Sequence, residues 1–219
     1  LFDEYNSLGE IGDVKVGLQT SNDDRFVRRW WEIDESKIGD EYKWYVMGGD
    51  DNAYYDSTES TIYWKNDGKE VINYNKSYPR NKDYYHLEGV NFRKFSKVFT
   101  ARYQPPDQIF SDATRFVYIE ECDDFALLGL LCSSLTRFIM YGLTPSLNFQ
   151  AGDAKRLPVN EDVINDNRVS ELTKKAISLR KEQFGIKETK FEFSDQILLD
   201  NVREMNLFMD LNEAYSQII

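Results

Sequence analysis

The chain has 219 residues, 41% hydrophobic and 15% aromatic, with 30% charged and a formal net charge of −11. A chain of this length hides roughly 70% of its unfolded surface, enough for a sizeable core. Its longest apolar run, near residues 125–131, is far too short to cross a bilayer, so no membrane partner is expected. The acid excess argues against a general phosphate-binding surface, which needs a basic footprint.

The chain opens on Leu1 with no secretory leader pattern, and it reads as a piece of a longer protein. Cys122 and Cys132 lack the spacing of a metal site, and nothing points to an oxidising compartment, so a cytoplasmic location is expected.

Residues 1–10 are a polar lead-in. Residues 12–19 alternate through Val14, Val16 and Leu18 and read as a strand. A turn-forming run follows, Gln19-Thr20-Ser21-Asn22-Asp23-Asp24, and then Arg25, Arg28 and Arg29 among Phe26, Val27, Trp30 and Trp31. This stretch is either a surface built to read a partner or an ordinary hairpin with a solvated turn.

Further strands are expected over 28–33, 43–47, 61–65, 84–87, 90–92, 97–103 and 115–119, with 71–74 a strand or a short helix. Gly48-Gly49-Asp50-Asp51-Asn52 and Asn66-Asp67-Gly68 mark turns, and Pro105-Pro106 blocks a strand. After Asp123 the period changes to 3.6, through Phe125, Leu128, Leu131, Leu135, Phe138 and Ile139, which predicts one buried helix over 123–143. Polar amphipathic helices are expected over 161–184 and 194–219, with a short strand or linker at 191–193. The expected fold class is α+β: a curved mixed or antiparallel sheet, then the buried helix and a helical C-terminal segment. Residues 1–160 form the β-rich domain and 161–219 the helical segment.

Charge is unevenly spread. Between residues 74 and 102 stand seven basic residues, Lys76, Arg80, Lys82, Arg93, Lys94, Lys97 and Arg102, against two acids, Asp83 and Glu88. Aromatic residues are interleaved, among them Tyr78, Tyr84, Tyr85, Phe92 and Phe95. The window fits a directed nucleic-acid face or a solvated sheet surface.

Catalytic chemistry is hard to find. His86 is the single histidine, and it supplies neither a triad nor a zinc site. No glycine-rich phosphate loop is present, and the adjacent carboxylates, such as Asp50-Asp51 and Asp123-Asp124, are expected to be solvated. The chain by itself is therefore expected to hold no catalytic residues, metal or cofactor. Binding chemistry is more visible. Arginine forks match guanine, and asparagine or glutamine amides match adenine. Gln19, Thr20 and Asn22 are candidates for base edges. Arg25, Arg28, Arg80, Asn81, Arg93 and Arg102 suit bases or phosphates, Lys76, Lys82, Lys94 and Lys97 suit phosphates, and Asn148 and Gln150 form a further amide pair.

Val16-Gly17-Leu18-Gln19-Thr20-Ser21-Asn22-Asp23-Asp24-Arg25-Phe26 resembles the G-L-Q-T-G-x-N-x-R-F stretch of PglX-type DNA adenine methyltransferases of BREX phage-defence systems. Trp64-Lys65-Asn66-Asp67-Gly68, Gly89-Val90-Asn91-Phe92, Phe99-Thr100-Ala101-Arg102-Tyr103, Leu127 to Ser133 and Pro145 to Asp153 fit in the same order. Leu157-Pro158-Val159 resembles the exit before a long helix in TaqI-like and type I specificity domains. Position 21 departs, with serine where the pattern has glycine. The resemblance covers roughly residues 12–185. It implies the target-recognition domain of an adenine-specific methyltransferase in a restriction-modification or phage-defence system, bound to double-stranded DNA. Such a parent carries an upstream catalytic domain with S-adenosylmethionine, and an endonuclease or other defence subunits are possible partners. The alternatives are a protein-interaction scaffold of such a complex and, from the exposed aromatics alone, a carbohydrate-binding module.

Overall fold

The computed structural model describes residues 2–144 and 146–194. In chain order the elements are α1 (Leu8–Ile11), β1 (Asp13–Val16), α2 (Asp23–Phe26), β2 (Val27–Arg29), β3 (Tyr42–Val46), β4 (Ser60–Tyr63), α3 (Lys65–Ile72), β5 (Gly89–Arg93), β6 (Ala101–Gln104), β7 (Gln108–Phe110) and β8 (Thr114–Tyr118). The helices α4 (Asp124–Leu131), α5 (Ser134–Leu143), α6 (Ala151–Ala154), α7 (Glu161–Ile164) and α8 (Asn167–Gly185) follow. The fold is α+β, and the described residues form two four-stranded sheets and no closed barrel.

Sheet one has the order β1-β8-β5-β6 and is antiparallel throughout. Sheet two has the order β2-β4-β3-β7, antiparallel except for the parallel β3–β7 pair. Successive strand residues face opposite sides, and sheet one uses both sides. Val14, Val90, Phe92, Ala101 and Val117 face the helices, where Leu127, Leu128, Leu131, Met140 and Ile177 complete one core. Phe116, next to Val117, faces the other way and joins Leu18, Tyr45, Ile62, Ile109 and Phe110 in a second core between the sheets. The Phe110 and Phe116 rings stack there, with centroids 5.0 Å apart. Burying each such aromatic contributes about 1.5–3 kcal/mol. A register slip of one residue would exchange the two faces, so both cores fix the same pairing.

Several expected elements differ. The helix expected over 123–143 is two helices, bent by 63° after Cys132. Ser133 causes the break, because its hydroxyl accepts from the Thr136 N–H at 3.1 Å and caps α5. The helix expected over 161–184 begins twice, under Asn160 and then under Asp166, each side chain accepting from the next turn. Residues 84–87 form no strand. Lys82–Tyr84 is a 3-10 turn, and His86 has φ 68, outside any strand conformation. Strand β2 stops at Arg29, because Trp30–Glu32 turns into a 3-10 helix. Pairing near 97–103 begins only at Ala101, and residues 71–74 end a helix. Strand β7 came without a sequence signal. Residues 191–193 make a turn, with the Phe193 N–H on the Lys190 carbonyl at 3.1 Å. The helix expected over 194–219 lies outside the described residues.

Both α8 and α4 belong to the first core, with Ile177 and Phe184 packed among sheet and helix residues from before position 160. Among the described residues no single helix is long and apolar enough to cross a membrane.

Candidate nucleic-acid interface

The loop after β1 is positioned by main-chain contacts on both sides. At Gly17 the chain passes so close to β7 that a Cβ would stand 1.9 Å from the Phe110 carbonyl oxygen, and only glycine fits. The Leu18 N–H then donates to that oxygen at 2.9 Å, and the Asp112 N–H donates to the Leu18 carbonyl at 3.0 Å. On the other side Gln19 and Tyr78 exchange backbone hydrogen bonds of 3.2 and 2.9 Å. Within the loop the buried Thr20 hydroxyl bonds the Asp23 carboxylate, and the Asn22 side chain accepts from the Arg25 N–H at 3.2 Å, capping α2.

Gln19 to Asp24 line a cleft of about 530 Å³, closed by Tyr45, Met47 and Ser111 to Ala113. Asp23, Asp24 and Asp112 make this cleft rich in acceptors. Such a surface repels phosphate but suits the amino groups of cytosine and adenine.

A second cleft of about 570 Å³ adjoins the first, and Arg25 forms part of its wall. Lys65, Lys69, Asn66, Asn73 and Asn75 line it with Tyr63 and Tyr74, and Glu70 is its one acid. The Asn22 amide reaches the Tyr74 hydroxyl at 3.5 Å, and the Arg25 guanidinium stands 5.0 Å from the Phe26 ring and 5.7 Å from the Tyr74 ring. Residues 65–83 carry five basic side chains, Lys65, Lys69, Lys76, Arg80 and Lys82, against Asp67, Glu70 and Asp83. A polar loop thus borders a basic segment, an arrangement chemically suited to a duplex that offers base edges and phosphates together.

The structure brings Gln19, Thr20, Asn22 and Arg25 into one loop, with Lys76 and Arg80 on the adjoining segment. Arg80 lies 5.8 Å over the Tyr78 ring, and Lys76 and Lys82 are exposed. Other candidates serve their own backbone or neighbours. Arg28 donates to the carbonyls of Asp24 and Val27, at 2.8 and 2.6 Å. Asn81 donates to the Val16 carbonyl at 2.8 Å, fixing the end of β1. Arg93 pairs with Asp51 at 2.7 Å, and Lys94 lies over the Phe95 ring at 5.0 Å. Gln150 donates to Asn148 at 2.7 Å and accepts from Arg115 at 3.2 Å. Arg102 is the clearest departure. Strand alternation turns it inward, where it pairs with Asp56 at 2.6 Å and donates to Asn91 at 2.9 Å. Burial lowers its pKa to about 10 against the pull of Asp56.

Lys65, Lys69, Asn73 and Asn75 were not singled out by sequence. Their signal was the Asn66-Asp67-Gly68 turn followed by Lys69-Glu70-Val71-Ile72, which places polar side chains on the open face of a short helix. His86 lies 3.1 Å from Asp107, beside the Trp64 ring. Among the described residues no group of three or more His, Cys, Asp or Glu is arranged to hold a metal ion.

No family model matches the chain. It is 32% identical over 209 residues to the adenine-specific methyltransferase BrxX of Escherichia coli O9:H4 (strain HS), covering 90% of this chain and 17% of that protein. It is 27% identical, over 98% of its own length and 20% of the relative, to the adenine-specific methyltransferase PglX of Lacticaseibacillus casei (strain Zhang). The chain is homologous to PglX-type adenine-specific methyltransferases. It spans about a fifth of the length of these curated relatives. The PglX similarity extends over nearly the whole chain, so both clefts and the helices behind them fall within it. The departure at position 21 now has a geometry. Ser21 has φ 55, the left-handed region that glycine occupies at least cost, so the turn does require a positive φ.

Proposed function

We propose that this chain is the target-recognition part of a PglX-type adenine methyltransferase and reads double-stranded DNA. S-adenosylmethionine and the methyl-transferring site then belong to the part of the relatives that this chain does not span. The reading surface lies within the β-rich part, residues 1–160, and α7 and α8 brace it from the helical side. The observation that carries this reading is the seam between the two clefts, where Asn22 meets Tyr74 and Gln19 pairs with Tyr78. The loop supplies amides and carboxylates for base edges, and the adjoining segment supplies Lys69, Lys76 and Arg80 for phosphates.

Selection of a random duplex library on the chain should enrich one sequence. Lys69→Ala and Lys76→Ala should weaken all duplexes alike and lower the salt dependence, by about one unit of slope each. Arg25→Ala should weaken the selected duplex more than a random one. Equal loss on both would move Arg25 to the phosphate contacts, and absence of duplex binding at low salt would overturn the reading.

A second reading, a scaffold for other defence subunits, is favoured by one observation. Helix α5 exposes Leu135, Phe138 and Tyr141, with Phe138 76% exposed. Exposed apolar patches of this kind mark protein contacts. That reading gives no DNA binding in the same selection.

A further inference from the structure

Helix α8 is covered on one face. Thr173, Ile177 and Phe184 turn inward toward the first core, and Gly129 of α4 lies close against Val169 and Thr173. Beside that buried face runs a second apolar stripe, open to solvent. Leu172 is 60% exposed, Leu179 51% and Ile186 42%, with Ala176 half-buried between the first two. Leu172, Ala176, Leu179, Gln183 and Ile186 are spaced by four, three, four and three residues, and Gln183 is the one polar position among them. An apolar repeat averaging about 3.5 residues is the seam along which two helices pair.

Cations flank the stripe. Arg168 and Lys175 stand on one side of it in helical projection, and Arg180 and Lys187 on the other. None of the four pairs with a carboxylate among the described residues. The whole of α8 carries Arg168, Lys174, Lys175, Arg180 and Lys181 against Glu171 and Glu182. This excess opposes pairing with α8 of a second copy, where like charges would face each other. After α8 the chain crosses to the residues just ahead of β4, where Lys190 pairs with Glu59 and Glu192 accepts from Ser57 at 2.5 Å. It then returns, and the Ser194 N–H donates to the Gly185 carbonyl at 3.0 Å. Residue 195 therefore follows directly on the C-terminal end of the stripe.

We propose that this stripe is the docking face for residues 195–219 of the same chain, laid along α8 as an antiparallel helix. Their sequence matches α8 in spacing, register and charge. Leu198, Val202, Met205 and Met209 repeat the spacing of four, three and four. An antiparallel alignment that sets Met209 level with Leu172 also sets Met205 with Ala176, Val202 with Leu179 and Leu198 with Gln183. The same alignment places Asp195 beside Ile186, in agreement with the bond from Ser194 to Gly185. The segment is acidic, with Asp195, Asp200, Glu204, Asp210 and Glu213 against Arg203. Asp195 then falls next to Lys187, and Glu213 level with Arg168. The docking face lies on the helical side of the chain and does not depend on the DNA reading.

Hydrogen exchange on the 219-residue chain should show the amides of 198–209 exchanging about tenfold or more slower than those of an unstructured chain. Leu179→Glu should remove that protection while the two-sheet core still melts cooperatively. Leu135→Glu, on the exposed face of α5, should leave the protection in place. A chain carrying Leu179→Cys and Val202→Cys should close a disulfide within one molecule on mild oxidation, mapped by mass spectrometry. Leu179→Cys with Asn212→Cys, about 15 Å further along a helix, should not. The cysteine pairs decide the matter where Leu179→Glu does not fold. Unprotected exchange over 198–209, protection that survives Leu179→Glu or is lost with Leu135→Glu, or a disulfide that closes equally at Asn212 overturns the proposal. A disulfide formed between two molecules also overturns it and assigns the stripe to a second copy.

Discussion

The Arg25 guanidinium lies 2.5 Å from the Glu70 carboxylate, with about half of each side chain open to solvent. The pair joins α2 to α3 and closes the seam between the acceptor-rich cleft and the basic one. An ion pair this exposed contributes about 0–1 kcal/mol to folding. Its larger effect is on the local field, since Glu70 is the one carboxylate in the basic cleft.

Glu70→Gln should therefore change stability by less than about 1 kcal/mol. Duplex binding should tighten, and its salt dependence should steepen, because the carboxylate that opposes phosphate in the basic cleft is gone. Filter binding across a salt series reads both effects. An unchanged affinity would place the basic cleft away from the duplex.

Ser21→Gly should stabilise the chain. A non-glycine residue in the left-handed region carries about 1–2 kcal/mol of strain, and glycine recovers part of it at the expense of a freer unfolded chain. A net gain of about 0.5–1 kcal/mol is expected in urea unfolding. Asn22 and Thr20 keep their bonds, so duplex selectivity should be unaltered.

Much of this fold was legible because burial in sheets and helices leaves periodic traces. Val14, Val16 and Leu18 announced the first strand, though β1 ends at Val16, where Gly17 meets the Phe110 carbonyl. The apolar period after Asp123 announced the helical core, but not the break at Ser133, since a single capping hydroxyl does not disturb that period. Strand β7 is three residues long and follows two prolines, too short for any pattern. The site was legible in part. The loop at Gln19–Arg25 stands out by composition, while Arg102 reads from sequence as a candidate contact for bases or phosphates, because charge alone does not say which side of a strand a residue occupies. Its inward position depends on the pairing of β6 with β5, which is a long-range fact. Lys69 and Asn73 were hidden for a similar reason, because only the fold brings α3 beside the loop.

Asp124 gives the chain a pH signature. Burial, with smaller contributions from Glu88 and Asp123, lifts its carboxyl from 3.8 to about 6. In the unfolded chain the group ionises near pH 4. Between about pH 4 and pH 6 the folded chain therefore holds a proton that the unfolded chain has released, and this site's contribution to stability is lost as pH rises through that window. Asp124→Asn should remove the decline. Urea unfolding of both chains at about pH 4.5 and pH 7 should show a larger advantage for the variant at the higher pH, reduced by the partial exposure of the carboxylate.

Gly17→Ala should be strongly destabilising. The added methyl would meet the Phe110 carbonyl at 1.9 Å, and neither β1 nor β7 can retreat without opening the core around Leu18 and Phe110. A loss of more than about 2 kcal/mol is expected, in line with overpacked sites. Thermal melting checks it, and a loss below about 0.5 kcal/mol, the scale of ordinary surface changes, would show that the approach of the two strands is looser than described.

The loop is held on both flanks by main-chain atoms, through Leu18 with Phe110 and Asp112, and through Gln19 with Tyr78. Every residue type but proline carries those atoms. Apart from the glycine at 17, the buried Leu18, Thr20 and Phe26, the Asn22 cap and Asp23 on Thr20, the loop's side chains are released from the task of keeping the fold. Selection can rewrite Gln19 or Arg25 letter by letter while the scaffold stays constant. If the loop reads DNA as proposed, the architecture lets a lineage change what it recognises faster than it changes its shape.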